Sequence, residues 1–190
     1  MPLTPGPLDP AGASAAEYES LPREEQRDAR RLCPWVPTPL AVVDPAVRLA
    51  GISRRDFVID LGCGNGEVLM RMTAQTGCRC QGMDICPSLI AAARRRAAQR
   101  GMDASRATFE VADFCASGFA LPQGTTMVYV YLLPKVLATL RSLLQEAVVS
   151  RGVRVLSNQF HPDYLGAPSK GYEGADGRWQ LQLFQRPASA

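Results

Sequence analysis

Short apolar runs alternate with amphipathic stretches along most of the chain. Phe57–Leu61 (FVIDL) reads as a short apolar strand, and Gly66–Thr76 as a helix with Val68, Leu69 and Met72 inward. Cys80–Ile85 is a second strand, followed by a helix over Ser88–Arg100 that Gly101 closes. Thr108–Ala112 is a third strand, and Thr126–Leu132 a fourth, apolar enough to be buried on both faces. Pro134 suits the first turn of a helix running to about Val149, and Val153–Asn158 is a fifth strand. Near the end, Trp179, Leu181 and Leu183 alternate with Gln180 and Gln182, as in an edge strand over Trp179–Gln185 preceded by a Gly174–Gly177 turn. Upstream, Asp44–Ala50 reads as a helix stopped by Gly51, Tyr18–Leu32 as a short charged helix, and PWVPTP between them as an extended path. Residues 1–16, rich in Pro, Ala, Gly and Ser, read as a disordered tail, and 17–190 as a single domain. Strand–helix alternation with right-handed crossovers implies an α/β fold: a Rossmann-like, doubly wound, mostly parallel sheet.

Composition narrows the function classes. A chain of 190 residues with 46 % hydrophobic and 21 % charged residues suits one globular domain. Net charge is +3, and Lys135 and Lys170 are the only lysines. No strongly basic stripe of a dedicated nucleic-acid binder is present. The run AAARRRAAQR is expected on a helix, where Arg94, Arg95 and Arg96 fan across about 200° as a solvated face. Cys33, Cys63, Cys78, Cys80, Cys86 and Cys115 form no CxxC pair, and the lone His161 is distant, so reduced structural thiols are expected and no metal. No apolar run approaches the ~20 residues of a membrane span. The first twenty residues lack Arg and Lys and contain Asp9, Glu17 and Glu19, unlike a secretory or mitochondrial leader. The expected place is therefore the cytoplasm, or the mitochondrion if an upstream segment exists.

The chemistry concentrates in VIDLGCGNGEV, Val58–Val68. An apolar strand runs into Gly62-x-Gly64-x-Gly66 and on into a helix, where the backbone must approach a ligand closely and the helix start offers free N–H groups. A dinucleotide loop reads G-x-G-x-x-G; here the third glycine comes one position early, and Asp60 precedes the first. A carboxylate there would repel a pyrophosphate but suits the amino group of a methionine moiety. The expected cofactor is S-adenosyl-L-methionine, held by Asp60, Gly62, Cys63, Gly64 and Gly66. Asp84, about 20 residues on at the end of the second strand, suits the ribose hydroxyls, with Ile85 beside it. Asp113 after the third strand could accept from the adenine amine while Ala112 or Phe114 packs on the ring.

The fourth strand ends at the carboxyl edge of the sheet, where such folds bind ligands. Base-amine methyltransferases often carry Asn/Asp-Pro-Pro-Tyr/Phe there; this chain has Tyr131-Leu132-Leu133-Pro134, an apolar lip with a tyrosine. Together, WVPTP, DLGCGNG, the acid-ended second strand and VYVYLLPKVL resemble the class I methyltransferases, and among them the FAM173-type protein lysine methyltransferases. The resemblance spans roughly Cys33–Asn158. It implies a seven-stranded methyltransferase fold with an antiparallel C-terminal strand, and a protein lysine as methyl acceptor. Tyr131, Leu132 and Pro134 are then expected to position the reaction without a general base. Trp35, Tyr131 and Leu133 are expected to line the acceptor channel, with Thr38 closing over the cofactor's methionine end. A small-molecule or RNA methyltransferase, or a silent cofactor-binding subunit, are the alternatives.

Overall fold

In the computed structural model, which describes residues 22–24, 36–175, 177 and 179–187, the alternating pattern folds into one seven-stranded sheet. The tail 1–16, nearly all of the expected charged helix, Cys33 and Trp35 lie outside the described residues. A 3₁₀ turn at Leu40–Val42 leads into α1 (Val43–Ala50), which Gly51 ends in the left-handed conformation. Then follow β1 (Phe57–Leu61), α2 (Glu67–Thr76), β2 (Arg79–Asp84), α3 (Pro87–Gln99), β3 (Ala107–Val111), β4 (Met127–Val130), α4 (Pro134–Thr139), α5 (Arg141–Val149) and β5 (Arg154–Asn158). The chain closes with β6 (Lys170–Glu173) and β7 (Gln180–Phe184).

The strand order is β3-β2-β1-β4-β5-β7-β6, with β1 to β5 parallel and β7 antiparallel to both neighbours. The doubly wound sheet with antiparallel C-terminal pairing is the expected one. β1 lies at its centre with all five residues buried. Side chains alternate across it: Val58 joins the layer under α1, α2 and α3, whereas Ile59 and Leu61 join the layer under α4 and α5. Leu69, Met70, Met72 and Ile90 are completely buried in the first layer, each stabilising the fold by roughly 1.5–3 kcal/mol on transfer from water.

Three expectations are corrected. The strand near the C-terminus is not at the edge: β7 is flanked by β5 and β6, and β6 is the edge. Lys170–Glu173 is exposed along its whole length, so it carries no alternation and owes its strand geometry to pairing with β7. The single helix expected from Pro134 to Val149 is broken at Leu140 (φ −86°, ψ 4°). There the Thr139 hydroxyl donates to the Val136 carbonyl at 2.7 Å, competing with the helical ladder and bending the chain. Nor is the arginine run wholly solvated: Arg94 Nε donates to the Phe109 carbonyl, and Arg96 and Arg100 converge on Glu67 at 3.6 and 2.9 Å. These arginines fasten α3 to β3 and to the start of α2.

Candidate cofactor and acceptor site

The loop after β1 is held by backbone bonds to the next strand. The N–H groups of Gly62 and Cys63 both donate to the Met83 carbonyl, at 2.8 and 3.0 Å. Asp84, which ends β2, accepts the Gly64 N–H at 2.8 Å on Oδ2 and the Cys86 N–H at 2.9 Å on Oδ1. A carboxylate has about four lone-pair sites, so Asp84 can still accept from a ligand hydroxyl while it holds the loop. Gly66 is the cap before α2, with φ +78°, and a Cβ on it would lie 2.5 Å from the Phe109 ring. Glycine is required here by backbone sign and by packing together. The Cys63 thiol is buried, and a Cβ at Gly82 would come within 2.6 Å of it. Only the backbone of Cys63 is therefore left to face a ligand. Burial first, then the charges of Asp60 and Asp84, push its thiol well above the ordinary range, so it stays protonated.

Asp60 is the electrostatic anomaly. It is 3 % exposed, and no described residue donates a hydrogen bond to its carboxylate. Burial, and then the neighbouring Asp84, push its pKa well above the usual carboxylate range. A buried, unpaired carboxylate above a loop of positive-φ glycines is an arrangement that a cationic amino group would relieve.

At the end of β3, Ala112 donates to the Asp84 carbonyl at 2.9 Å, which brings this turn beside the glycine loop. Asp113 is exposed and caps its own turn by accepting the Cys115 N–H at 2.9 Å. Ile85 is half-buried, and Phe114 is buried in the second layer. Leu132 packs beneath Gly62, since a Cβ there would lie 3.0 Å from Leu132 Cδ2. It supports the loop from the face opposite Tyr131. Leu133 is half-buried as the cap of α4, and Pro134 is exposed at its first turn.

A second polar group sits on the Asp60 face. Tyr129 pairs with Asp60 in the β1–β4 register. Its hydroxyl accepts from Asn158 Nδ2 at 3.0 Å and shares a hydrogen bond with the half-buried Thr38. Burial, and then Asp60, push the Tyr129 hydroxyl far up, so it is no base at neutral pH. Asn158 is completely buried, yet its Oδ1 has no partner, a situation that costs about 1–3 kcal/mol when uncompensated. Beyond Tyr129, the ring of Tyr131 meets Trp179 edge-on, with centroids 6.0 Å apart and planes at 75°. Because β7 is antiparallel, its beginning lies at the carboxyl edge of the parallel strands, and this carries Trp179 to the site. The structure thus gathers Thr38, Asp60, the glycines, Asp84 and Tyr131 along one edge. Sequence reasoning singled out neither Asn158 nor Trp179 for this edge; for Trp179 the parity shared with Leu181 and Leu183 was the available signal.

Among the described residues no group of three or more His, Cys, Asp or Glu could hold a metal ion, and no helix is long and apolar enough to cross a membrane. Comparison with known proteins agrees with this geometry. The family model described as the ANTKMT methyltransferase domain matches residues 60–164, beginning at Asp60. A protein-lysine N-methyltransferase of Saccharolobus islandicus is 29 % identical over 128 residues, 67 % of this chain and 76 % of that protein. The crystal structure of an RNA methyltransferase from Salinibacter ruber, bound to S-adenosyl-L-homocysteine, superposes with a TM-score of 0.70 at 31 % identity, covering 82 % of this chain and 96 % of that one. A methyltransferase from Thiobacillus denitrificans, also with S-adenosyl-L-homocysteine, shares the fold at a TM-score of 0.53 and 24 % identity, over 73 % of this chain and 56 % of that one.

Proposed function

The chain belongs to the family of the ANTKMT methyltransferase domain, and on that premise we propose that it transfers the methyl group of S-adenosyl-L-methionine to a lysine side chain of a protein. The observation that carries this reading is the buried, unpaired Asp60 carboxylate at the end of β1, beside the glycine loop and on the same sheet face as Tyr129. A methionine-type ammonium fits that carboxylate, and the positive-φ loop lets the backbone approach without an intervening side chain. Asp84 would take the ribose hydroxyls, and Ile85, Ala112, Asp113 and Phe114 the adenine. When bound, the cofactor would supply a sulfonium-activated methyl that an amine lone pair could attack in line, with the thioether of S-adenosyl-L-homocysteine as leaving group.

The protein's own contribution is alignment and exclusion of water. Tyr131 and Trp179 make an aromatic wall on the acceptor side. An ammonium entering such a wall loses hydration, which favours the neutral amine that can react. No general base is needed: Tyr129 stays a phenol, and the amine's proton is released to water before the amine enters. The Saccharolobus relative, a protein-lysine N-methyltransferase, supports the acceptor class. Buried free thiols at Cys63, Cys78 and Cys80 suit a reducing compartment such as the cytoplasm.

The test is incubation of the protein with tritiated S-adenosyl-L-methionine and a cell lysate, followed by separation of proteins, RNA and metabolites. Label in protein that hydrolyses to methyllysine is the expected result. Label confined to RNA would instead align the chain with its Salinibacter relative, and label in metabolites alone would mean a small acceptor.

A further inference from the structure

On the acceptor side, Asn158 and Trp179 are assigned by no motif in the chain, and Trp179 lies outside the 60–164 family match. We propose that Tyr131, Trp179 and Asn158 form the acceptor subsite: the two aromatic rings hold the aliphatic stem of the incoming lysine, and the Asn158 carboxamide oxygen accepts an N–H of its neutral amine. This assignment rests on the lysine reading above.

Topology is the first argument. Tyr131 follows β4, Asn158 ends β5, and Trp179 precedes the antiparallel β7, so three separate strands deliver them to one edge. They also share a face, that of Asp60. Tyr129 pairs with Asp60, Asn158 donates to the Tyr129 hydroxyl, and Tyr131 and Trp179 both pack against the core layer that contains Tyr129. The edge is the one at which the glycine loop and Asp84 stand.

Geometry is the second. The edge-on contact at 75° leaves the two ring planes nearly perpendicular, so they form a corner and not one flat surface. Such a corner offers apolar ring surface against which a four-carbon stem can lie.

The third argument is the Asn158 amide. Its Nδ2 is committed to Tyr129, and Tyr129 is also tied to Thr38, which orients the amide with Oδ1 turned away. That oxygen is buried without a partner and needs a donor. A neutral primary amine has two N–H groups and one lone pair. Giving one N–H to Oδ1 leaves the lone pair free to point at the transferable methyl. Among the described residues, the titratable groups on this face include Asp60 on β1 and Tyr129 on β4, with Tyr131 beyond it, and the helix α1 packed on β5 and β7 carries Asp44 and Arg48.

The experiment compares wild type with Trp179→Leu, Trp179→Phe and Asn158→Asp. It measures methyllysine formation against lysate protein concentration, S-adenosyl-L-methionine affinity by calorimetry, and the pH–rate profile. Trp179→Leu should lose methyllysine formation roughly tenfold or more through a raised apparent KM, with cofactor affinity unchanged. Trp179→Phe should recover most of it, because one aromatic wall is restored. Asn158→Asp keeps the acceptor but adds an anion, which stabilises the lysine ammonium and should move the rising limb of the profile to higher pH. A wild-type rate in Trp179→Leu, or an unshifted profile in a folded Asn158→Asp, overturns the subsite while leaving the lysine reading intact. If the wild type labels an acceptor other than lysine, the lysine reading fails and takes the subsite with it.

Discussion

The backbone N–H of Gly64 donates to Asp84 Oδ2 at 2.8 Å, so the acid that ends β2 holds the centre of the glycine loop after β1. One carboxylate thereby shapes the loop and remains able to accept from a ribose. Asp84→Ala should weaken S-adenosyl-L-methionine and S-adenosyl-L-homocysteine alike, by roughly tenfold to a hundredfold, because both present the same ribose and both need the same loop. Asp84→Asn, which keeps an acceptor for Gly64, should fall between. Calorimetry with both ligands decides it, and an Asp84→Ala protein that binds either one normally contradicts the role.

Gly66 tests packing separately from binding. A methyl group there meets the Phe109 ring at 2.5 Å and sits at φ +78°. Gly66→Ala should cost about 2–4 kcal/mol of stability in denaturant unfolding, from overpacking and backbone strain together. Phe109→Leu on top of it should return part of that loss, and strict additivity of the two substitutions would show that the ring is not the obstacle.

Asp60 should make cofactor binding depend on protons. Its pKa is raised in the folded protein, mainly by burial and then by Asp84. Above the unfolded carboxylate value, the folded state therefore binds a proton more tightly than the unfolded chain, and stability falls as pH rises toward the raised folded value. A bound ammonium reverses the preference, so affinity should rise with pH through the same window and binding should release a proton. Calorimetry in buffers of different ionisation enthalpy measures that release. Asp60→Asn should abolish it, weaken cofactor binding, and leave the free protein no less stable.

At the opposite edge, Asp56 anchors the start of β1. It accepts from Ser53 N–H at 2.8 Å and Thr126 Oγ1 at 2.7 Å, and pairs with Arg154. Burial alone would raise its pKa, but these donors outweigh it and hold the carboxyl below the ordinary range. The stability it contributes is present above the unfolded carboxylate value and lost as pH falls through the lowered folded one. Arg154→Met should cost about 1–3 kcal/mol, read by urea unfolding, with cofactor affinity unchanged. A loss of affinity would mean that the two edges communicate.

Activity on a lysine acceptor should climb from about pH 7 toward about pH 9, since an unperturbed lysine titrates near ~10.4 and only its neutral form reacts. A flat profile over that range would mean that chemistry on the amine does not limit the rate.

Much of this protein is legible along the chain because the relevant information is local. The apolar run Phe57–Leu61, the acid at its fourth position, three alternate glycines and a helix-forming stretch together specify a strand, a ligand-facing loop and a helix start. The structure bears out the strand and the helix start, and the family match bears out the methyltransferase resemblance. Gly51 and Pro134 mark a helix end and a helix start for reasons of backbone geometry alone. Where an expectation failed, a partner distant in sequence was responsible. β6 has no apolar period because both its faces are exposed, and it exists through pairing with β7. Arg96 and Arg100 look like a solvent face until Glu67 is brought against them from the start of α2.

The acceptor side shows the same division. Local sequence determined that Asp60 would lie near the end of a buried strand and that Gly62, Gly64 and Gly66 would turn the chain, because strand burial and positive φ are demands on individual residues. It could not determine that Trp179 would meet Tyr131, or that Asn158 would reach Tyr129, since those contacts depend on β7 running antiparallel to β5. Side-chain parity says which residues share a face, but strand direction decides which end of that face each one reaches, and direction is set only when the strands pair.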